Sequence, residues 1–246
     1  MFKFLSSLGL SLGAYGEALP YLFKSGYRRY LALPILVYLG LLVGVVWLMY
    51  TNLNRWLSIV LAWFGYSFDE LSAYSMIILI SLQIIMFFFM SSLFKYATLI
   101  VLSPFLAFLS EKVEVEATGE ELPFMLDQII KDIFRAIRLN LTNFLKEMGI
   151  TLLLALLAFI PLVGMLSPIL IFVVQSYYLG YGLLDYNPER WRMDFPTTER
   201  WMKARRGMVL GIGLGFHLLF LIPVLGWIFA PAWSVIAGTK VALKLR

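Results

Sequence analysis

Residues 31–50 read LALPILVYLGLLVGVVWLMY, and this stretch decides the fold. None of its residues is charged. At 1.5 Å per residue, a helix of that length crosses the roughly 30 Å of bilayer hydrocarbon. Pro34 falls in the opening turn, where a missing amide donor costs little, and Trp47 and Tyr50 mark the far end as aromatic residues mark a membrane interface. The composition agrees: of 246 residues, 61% are hydrophobic and 14% charged, against about half and a quarter in soluble domains. The mean hydropathy of +0.85 belongs to a chain whose natural unit is the membrane segment, here one membrane domain over 1–246.

Outward from this span, residues 52–73 carry Arg55, Trp56, Trp63, Tyr66, Asp69 and Glu70, which reads as an aromatic, weakly acidic loop on the external surface. A second span is expected over 73–102, longer than one crossing requires, so it tilts or extends beyond the bilayer. On the other side, residues 1–30 begin with Met1, Leu5, Leu8, Leu12, Tyr15, Leu19 and Leu22 at spacings of three and four, with Ser6, Gly9, Gly13 and Gly16 opposite. That period predicts an amphipathic interfacial helix and argues against a cleaved signal, although Lys3 followed by an apolar run has some signal character. Residues 103–148 turn charged, with Lys112, Lys131, Arg135, Arg138 and Lys146 among many carboxylates, and the positive-inside rule places them in the cytoplasm. Within them Ile129, Ile130, Ile133, Phe134, Ile137, Leu141, Phe144 and Leu145 form one apolar face, as on a surface or partner-facing helix.

An internal repeat organises the rest. FIPLVGMLSP at 159–168 is echoed by LIPVLGWIFAP at 221–231. The apolar arms around them, 149–182 and 207–243, are short for two crossing helices and a turn, so each is read as a re-entrant, hemi-penetrating hairpin, the second continuing into the C-terminus at 246. Pro161, Gly164, Pro168, Pro223, Gly226 and Pro231 are then the structural hairpin tips, and non-helical backbone there must be covered by protein or face water. The loop 183–206, with Arg190, Arg192, Arg200, Lys203, Arg205 and Arg206, joins the other basic segments on the cytoplasmic face, along with both termini. Two spans with two hairpins and six full spans both satisfy that parity; segment length favours the hairpins. The expected fold is an all-α, multi-pass integral membrane protein with two long transmembrane helices, two re-entrant hairpins and amphipathic surface helices.

Several chemistries find no residues to stand on. The net charge of +5 comes from bases that flank apolar runs, not from a nucleic-acid stripe. Without cysteine there are no thiolate metal sites or cysteine nucleophiles. No phosphate loop, dinucleotide fingerprint, serine elbow or metal helix is present, so neither an enzyme nor a cofactor is expected. His217, the only histidine, lacks metal-ligand partners and reads as a packed or hydrogen-bonded residue; no metal is expected. Lys95, near the inner end of the second span, attracts anions or snorkels to the interface. Glu111 and Glu114, followed by Glu116, Glu120 and Glu121, read as a solvated acidic stretch. Gly26, Tyr27, Arg28 and Arg29 stand just before the first span, where guanidinium donors and free helix amides form an anion site or simply obey topology.

Four blocks, SGYRRYLALP from Ser25, SPFLAFLSEKVE from Ser103, FIPLVGMLSP, and LLDYNPERWRMDF through LIPVLGWIFAP, resemble the CysZ family of sulfate permeases and its etoposide-induced relatives. Asp185-Tyr186 and the Pro-Phe-x-x-x-Leu-x-Glu-x-Val-Glu pattern from Pro104 are the specific parts. The resemblance implies two long membrane helices, hairpins entering from one side, a homo-oligomer, and uptake of sulfate or a related oxyanion across a bacterial inner membrane for cysteine biosynthesis. It also implies a sulfate site at Gly26, Tyr27, Arg28 and Arg29, with membrane lipid as the remaining partner. One departure is Leu139-Asn140-Leu141 where the family commonly has Arg-Glu-Leu, which weighs against an ion-pair role for that helix. The alternative to a channel or facilitator is a non-transporting scaffold that shapes membranes through wedge-like hairpins.

Overall fold

The computed structural model describes residues 2–63, 73–119, 126–157, 161–222 and 225–246, and within them every regular element is helical. Helix α1 (Phe2–Phe23) is separated by Lys24 alone from α2 (Ser25–Trp63). There follow α3 (Ala73–Thr118), α4 (Leu126–Leu157), α5 (Pro161–Leu184), α6 (Tyr186–Arg190), α7 (Phe195–Ala204), α8 (Arg206–Phe220) and α9 (Leu225–Lys244).

The 39 residues of α2 and the 46 of α3 make rods of about 58 and 69 Å. Helix α2 runs through 52–63, the start of the segment expected to be a loop, because TNLNRWLSIVLAW contains neither glycine nor proline to end it. Helix α3 carries the second span onward through charged residues to Thr118, where Gly119 adopts φ +74° and its amide donates to the Val115 carbonyl at 2.8 Å, closing the helix.

Among the described residues three helices are long and apolar enough to cross a membrane, over Ile35–Asn52, Ser92–Thr118 and Leu166–Arg190. Helix α8, apolar but only 15 residues long, spans about 22 Å, whereas α5, with 24 residues, spans about 36 Å. At the second repeat the partner arm, α9, has 20 residues and spans about 30 Å. Of the repeat residues, Pro161 opens α5, Gly164 lies in its first turn, and Pro168 sits exposed further along. Gly226 is the second residue of α9 and Pro231 is buried within it, while Pro223 lies outside the described residues.

Small residues set the packing. On α5 and α8, Gly180 and Gly213 bring backbone against backbone: a β-carbon on Gly213 would overlap the Ser176 carbonyl, and one on Gly180 the Val209 carbonyl. Helix α1 lies against α8, with Ser7 and Ser11 facing Gly207 and Gly211. Its buried face is Ser11, Ala14, Tyr15, Ala18 and Leu22, while Leu5 and Leu19 point outward. The expected interfacial helix is thus a packed one, rotated so that its small residues meet the neighbouring backbone. The Tyr15 hydroxyl contacts the Ile212 carbonyl and Ser234, and Trp233 Nε1 donates to the Tyr15 carbonyl at 2.8 Å.

Helix α4 is amphipathic in the inverted sense. Phe134, Ile137, Leu141 and Leu145, members of its predicted apolar face, are exposed, while Ala136, Leu139, Asn140, Asn143 and Glu147 are buried. The side chains of Ile129 and Ile130 are outside those described. The apolar stripe is turned away from the chain's own interior, as expected of a surface helix.

Candidate functional site

The α1–α2 joint is built around one buried phenol. The chain turns at Lys24, whose carbonyl accepts from the Tyr27 amide at 2.9 Å, and this points Tyr27 inward to 1% exposure. Its hydroxyl donates to Glu116 of α3 at 2.9 Å, and its ring stands edge-on to Tyr21 at 5.2 Å. Burial first, and then the Glu116 carboxylate, push the phenol above its usual range, so it persists as a donor.

Cations from the α1–α2 joint, α3 and α9 surround the two rings. Lys24 pairs with Glu116, Lys112 of α3 lies 5.0 Å from the Tyr27 ring centre, and Lys240 of α9 lies 4.6 Å from that of Tyr21. Lys244 closes the cluster on Glu17 at 2.6 Å, and its hydrogen bond holds the Glu17 carboxyl below the usual range. Gly26, Arg28 and Arg29 occupy the opening turns of α2 beside Tyr27, with side chains outside those described. Of the four residues the resemblance marks, the structure anchors Tyr27 within this lysine-rich setting. A helix start flanked by cations is an end of the molecule that attracts anions.

Deeper in the bundle lie three ion pairs that the sequence reading missed. Glu114 is 8% exposed, not solvated as expected: it accepts from Arg190 Nε at 2.7 Å and from Trp191 Nε1 at 3.0 Å. Arg190 also donates to Ser110, itself 2.7 Å from Thr239 of α9. The available signal was the stripe Leu99, Leu102, Leu106, Leu109 and Val113, all buried, which places Glu114 beside the inward face at helical period. Arg135 of α4 donates to both oxygens of Asp185, at 3.1 and 3.4 Å, and reaches the Met193 carbonyl and Thr198, thereby tying α4 to the Asp185-Tyr186 turn.

Lys95 neither snorkels nor stands open to anions. It pairs with Glu147 of α4 at 2.6 Å, the two side chains being 10% and 0% exposed, and Ser92 and Tyr96 each donate to the same carboxylate at 2.7 Å. Helix α4 therefore carries two buried ion pairs despite the Leu139-Asn140-Leu141 departure, because the charges sit at Arg135 and Glu147, one turn and nearly two turns to either side. His217 meets Ser176 Oγ at 2.9 Å and packs on Phe172 with ring centres 5.0 Å apart, the hydrogen-bonded role expected of it.

The family described as sulfate transporter CysZ/etoposide-induced protein 2.4 matches residues 14–231. A sulfate transporter CysZ of Pectobacterium atrosepticum is 27% identical over 215 residues, covering 84% of this chain and 74% of that protein. Those of Vibrio parahaemolyticus, 27% over 208 residues (83% and 82% covered), and Pseudomonas paraeruginosa, 23% over 223 residues (88% of each), are similar along comparable lengths.

Proposed function

The chain belongs to the sulfate transporter CysZ/etoposide-induced protein 2.4 family, and on that premise we propose that it is a sulfate uptake permease of channel or facilitator type in a bacterial inner membrane, feeding cysteine biosynthesis. The observation that carries this reading to particular residues is the α1–α2 joint: Tyr27 is locked to Glu116 amid Lys24, Lys112 and Lys240. In the Gly26, Tyr27, Arg28 and Arg29 site, Arg28 and Arg29 gather the dianion at the cytoplasmic mouth, while buried Tyr27 fixes the turn that presents them. A sulfate leaving water needs fixed donors to replace its hydration, and guanidinium groups with helix amides are such donors.

In this reading α2 and α3 cross the bilayer, and the α4–α5 and α8–α9 pairs enter from the cytoplasmic side as hairpins, with both termini inside. Several copies together enclose the path. Among the described side chains of the apolar α2 segment Ile35–Asn52 none is buried within the chain, and with the outward stripe of α4 it offers the surfaces for that assembly.

The test is uptake of radiolabelled sulfate into liposomes holding the purified protein, comparing wild type with Arg28→Ala plus Arg29→Ala. Protein-dependent flux that the double variant loses, with its oligomer intact, supports both permease and site. Flux retained in the variant reduces the arginines to topology signals. No flux from either, with altered vesicle shape, returns the scaffold reading.

A further inference from the structure

A cavity of about 470 Å³ opens between α4, α5, α7, α8 and, through Phe4, the start of α1, at the far end of that helix from the α1–α2 joint. Its rim holds Lys146, Lys203 and Arg206 with one carboxylate, Glu199, which pairs with Lys203 at 2.9 Å and Lys146 at 3.7 Å. Three cations against one anion leave the rim positive. Asn143 lines the cavity at 4% exposure, and among the described residues its Nδ2 has no hydrogen-bond partner. A buried amide donor left unpaired points to a missing acceptor.

The cavity is also polarised along its length. Following α4 from Lys146 to Ile150, α5 from Tyr177 back to Val173, and α8 from Arg206 to Leu210, each helix passes from a polar to an apolar lining residue within one turn. Because α5 runs antiparallel to its neighbours, all three gradients point the same way. The apolar end continues onto the exposed surface through Ile150 and Val173. A free inorganic anion would use the rim and leave the apolar end without a purpose. A molecule with a phosphodiester at one end and hydrocarbon at the other fits both.

We propose that this cavity is a binding site for an anionic phospholipid, its phosphate held by Lys146, Lys203, Arg206 and the Asn143 amide and an acyl chain lying along Ile150 and Val173. The site is separate from the proposed sulfate mouth and does not depend on it. Lipid occupancy here couples α4 and α5 to the α7–α8 turn, so the assembly is more stable in an anionic bilayer.

Purified protein in neutral detergent, titrated with short-chain phosphatidylglycerol or phosphatidylcholine while thermal unfolding is followed by tryptophan fluorescence, tests this. Phosphatidylglycerol is expected to raise Tm and phosphatidylcholine to leave it unchanged. Lys203→Gln with Arg206→Gln is expected to lose the phosphatidylglycerol shift, and Lys131→Gln, an exposed cation elsewhere on α4, to keep it. If the double variant is not monodisperse, Lys146→Gln alone carries the comparison. Equal shifts with both lipids, or a phosphatidylglycerol shift that survives the rim variants, would overturn the proposal. So would abolition of the shift by sodium sulfate but not by sodium chloride at matched ionic strength, since the occupant would then be a free anion.

Discussion

Lys95 and Glu147 meet across 52 positions of sequence, and the carboxylate also takes donors from Ser92 and Tyr96. With both carboxylate oxygens engaged and the two side chains buried, the pair is worth most as a unit: removing one partner leaves an uncompensated buried charge. Glu147→Leu is expected to destabilise the protein by about 3–5 kcal/mol, and Lys95→Met plus Glu147→Leu to recover most of that loss, since an apolar replacement of similar volume removes both desolvation costs. Thermal unfolding of the two single variants and the double variant in one detergent checks the cycle; additive losses would mean that the pair is not coupled. At the proposed mouth, Tyr27→Phe deletes a hydrogen bond to a carboxylate, a loss of about 1.5–3 kcal/mol, and is expected to lower sulfate flux by loosening the first turn of α2, readable as reduced uptake at unchanged oligomer size. At this scale the sequence marks which residues are unusual and not how they pair. Lys95, Glu114 and Arg135 each find their partner at least 50 residues away, a separation no local period encodes; the motif around Tyr27 stands out in sequence, but its bond to Glu116, 89 positions on, does not.

Helices are held here by what is missing from their surfaces. Where Gly180 and Gly213 meet, α5 and α8 approach until the backbones touch, the kind of contact that replaces hydrophobic driving force inside a bilayer. Gly213→Ala is expected to cost about 1–3 kcal/mol through overpacking, because the obstructing atom is a backbone carbonyl that cannot rotate aside. Gly16→Ala is the opposite case: nothing lies within 4 Å of its added carbon, so it is expected to stabilise α1 by up to about 1 kcal/mol. Unfolding midpoints for the two variants should move in opposite directions, and a stable Gly213→Ala protein would show that the helices separate without penalty. The apolar cores of the first two long helices were readable from hydropathy and the outward apolar stripe of α4 from its period, but not the helix ends: α2 runs on to Trp63 and α3 to Thr118, into the loop and charged segments expected there. The rotation of α1 was not, because leucines dominated its pattern while the packed face is made of Ser11, Ala14 and Ala18, residues whose value is their small size.

For the molecule as a whole, the depth to which each repeat enters the bilayer sets the topology, and the helices beside the two repeats differ in length. Helix α5 is long enough to cross at about 36 Å, while α8 at about 22 Å falls well short of the hydrocarbon thickness. The turn after α8 presents Leu221 at 74% exposure, and Leu166 near the start of α5 is 57% exposed, so each offers a reporter close to its tip. Because the chain has no cysteine, Leu221→Cys and Leu166→Cys place a single thiol on a silent background. In spheroplasts treated with a membrane-impermeant maleimide, Leu221→Cys is expected to stay unlabelled until detergent is added. Leu166→Cys shares that protection if the first repeat is also a hairpin held within the assembly. Labelling of both from outside would require four further crossings and sink the hairpin arrangement; labelling of Leu166→Cys alone would make α4–α5 a crossing pair beside one hairpin, which is what helix length by itself allows. Cytoplasmic exposure of Lys203 and the basic loop would follow in every case, because each arrangement returns the chain to the same face.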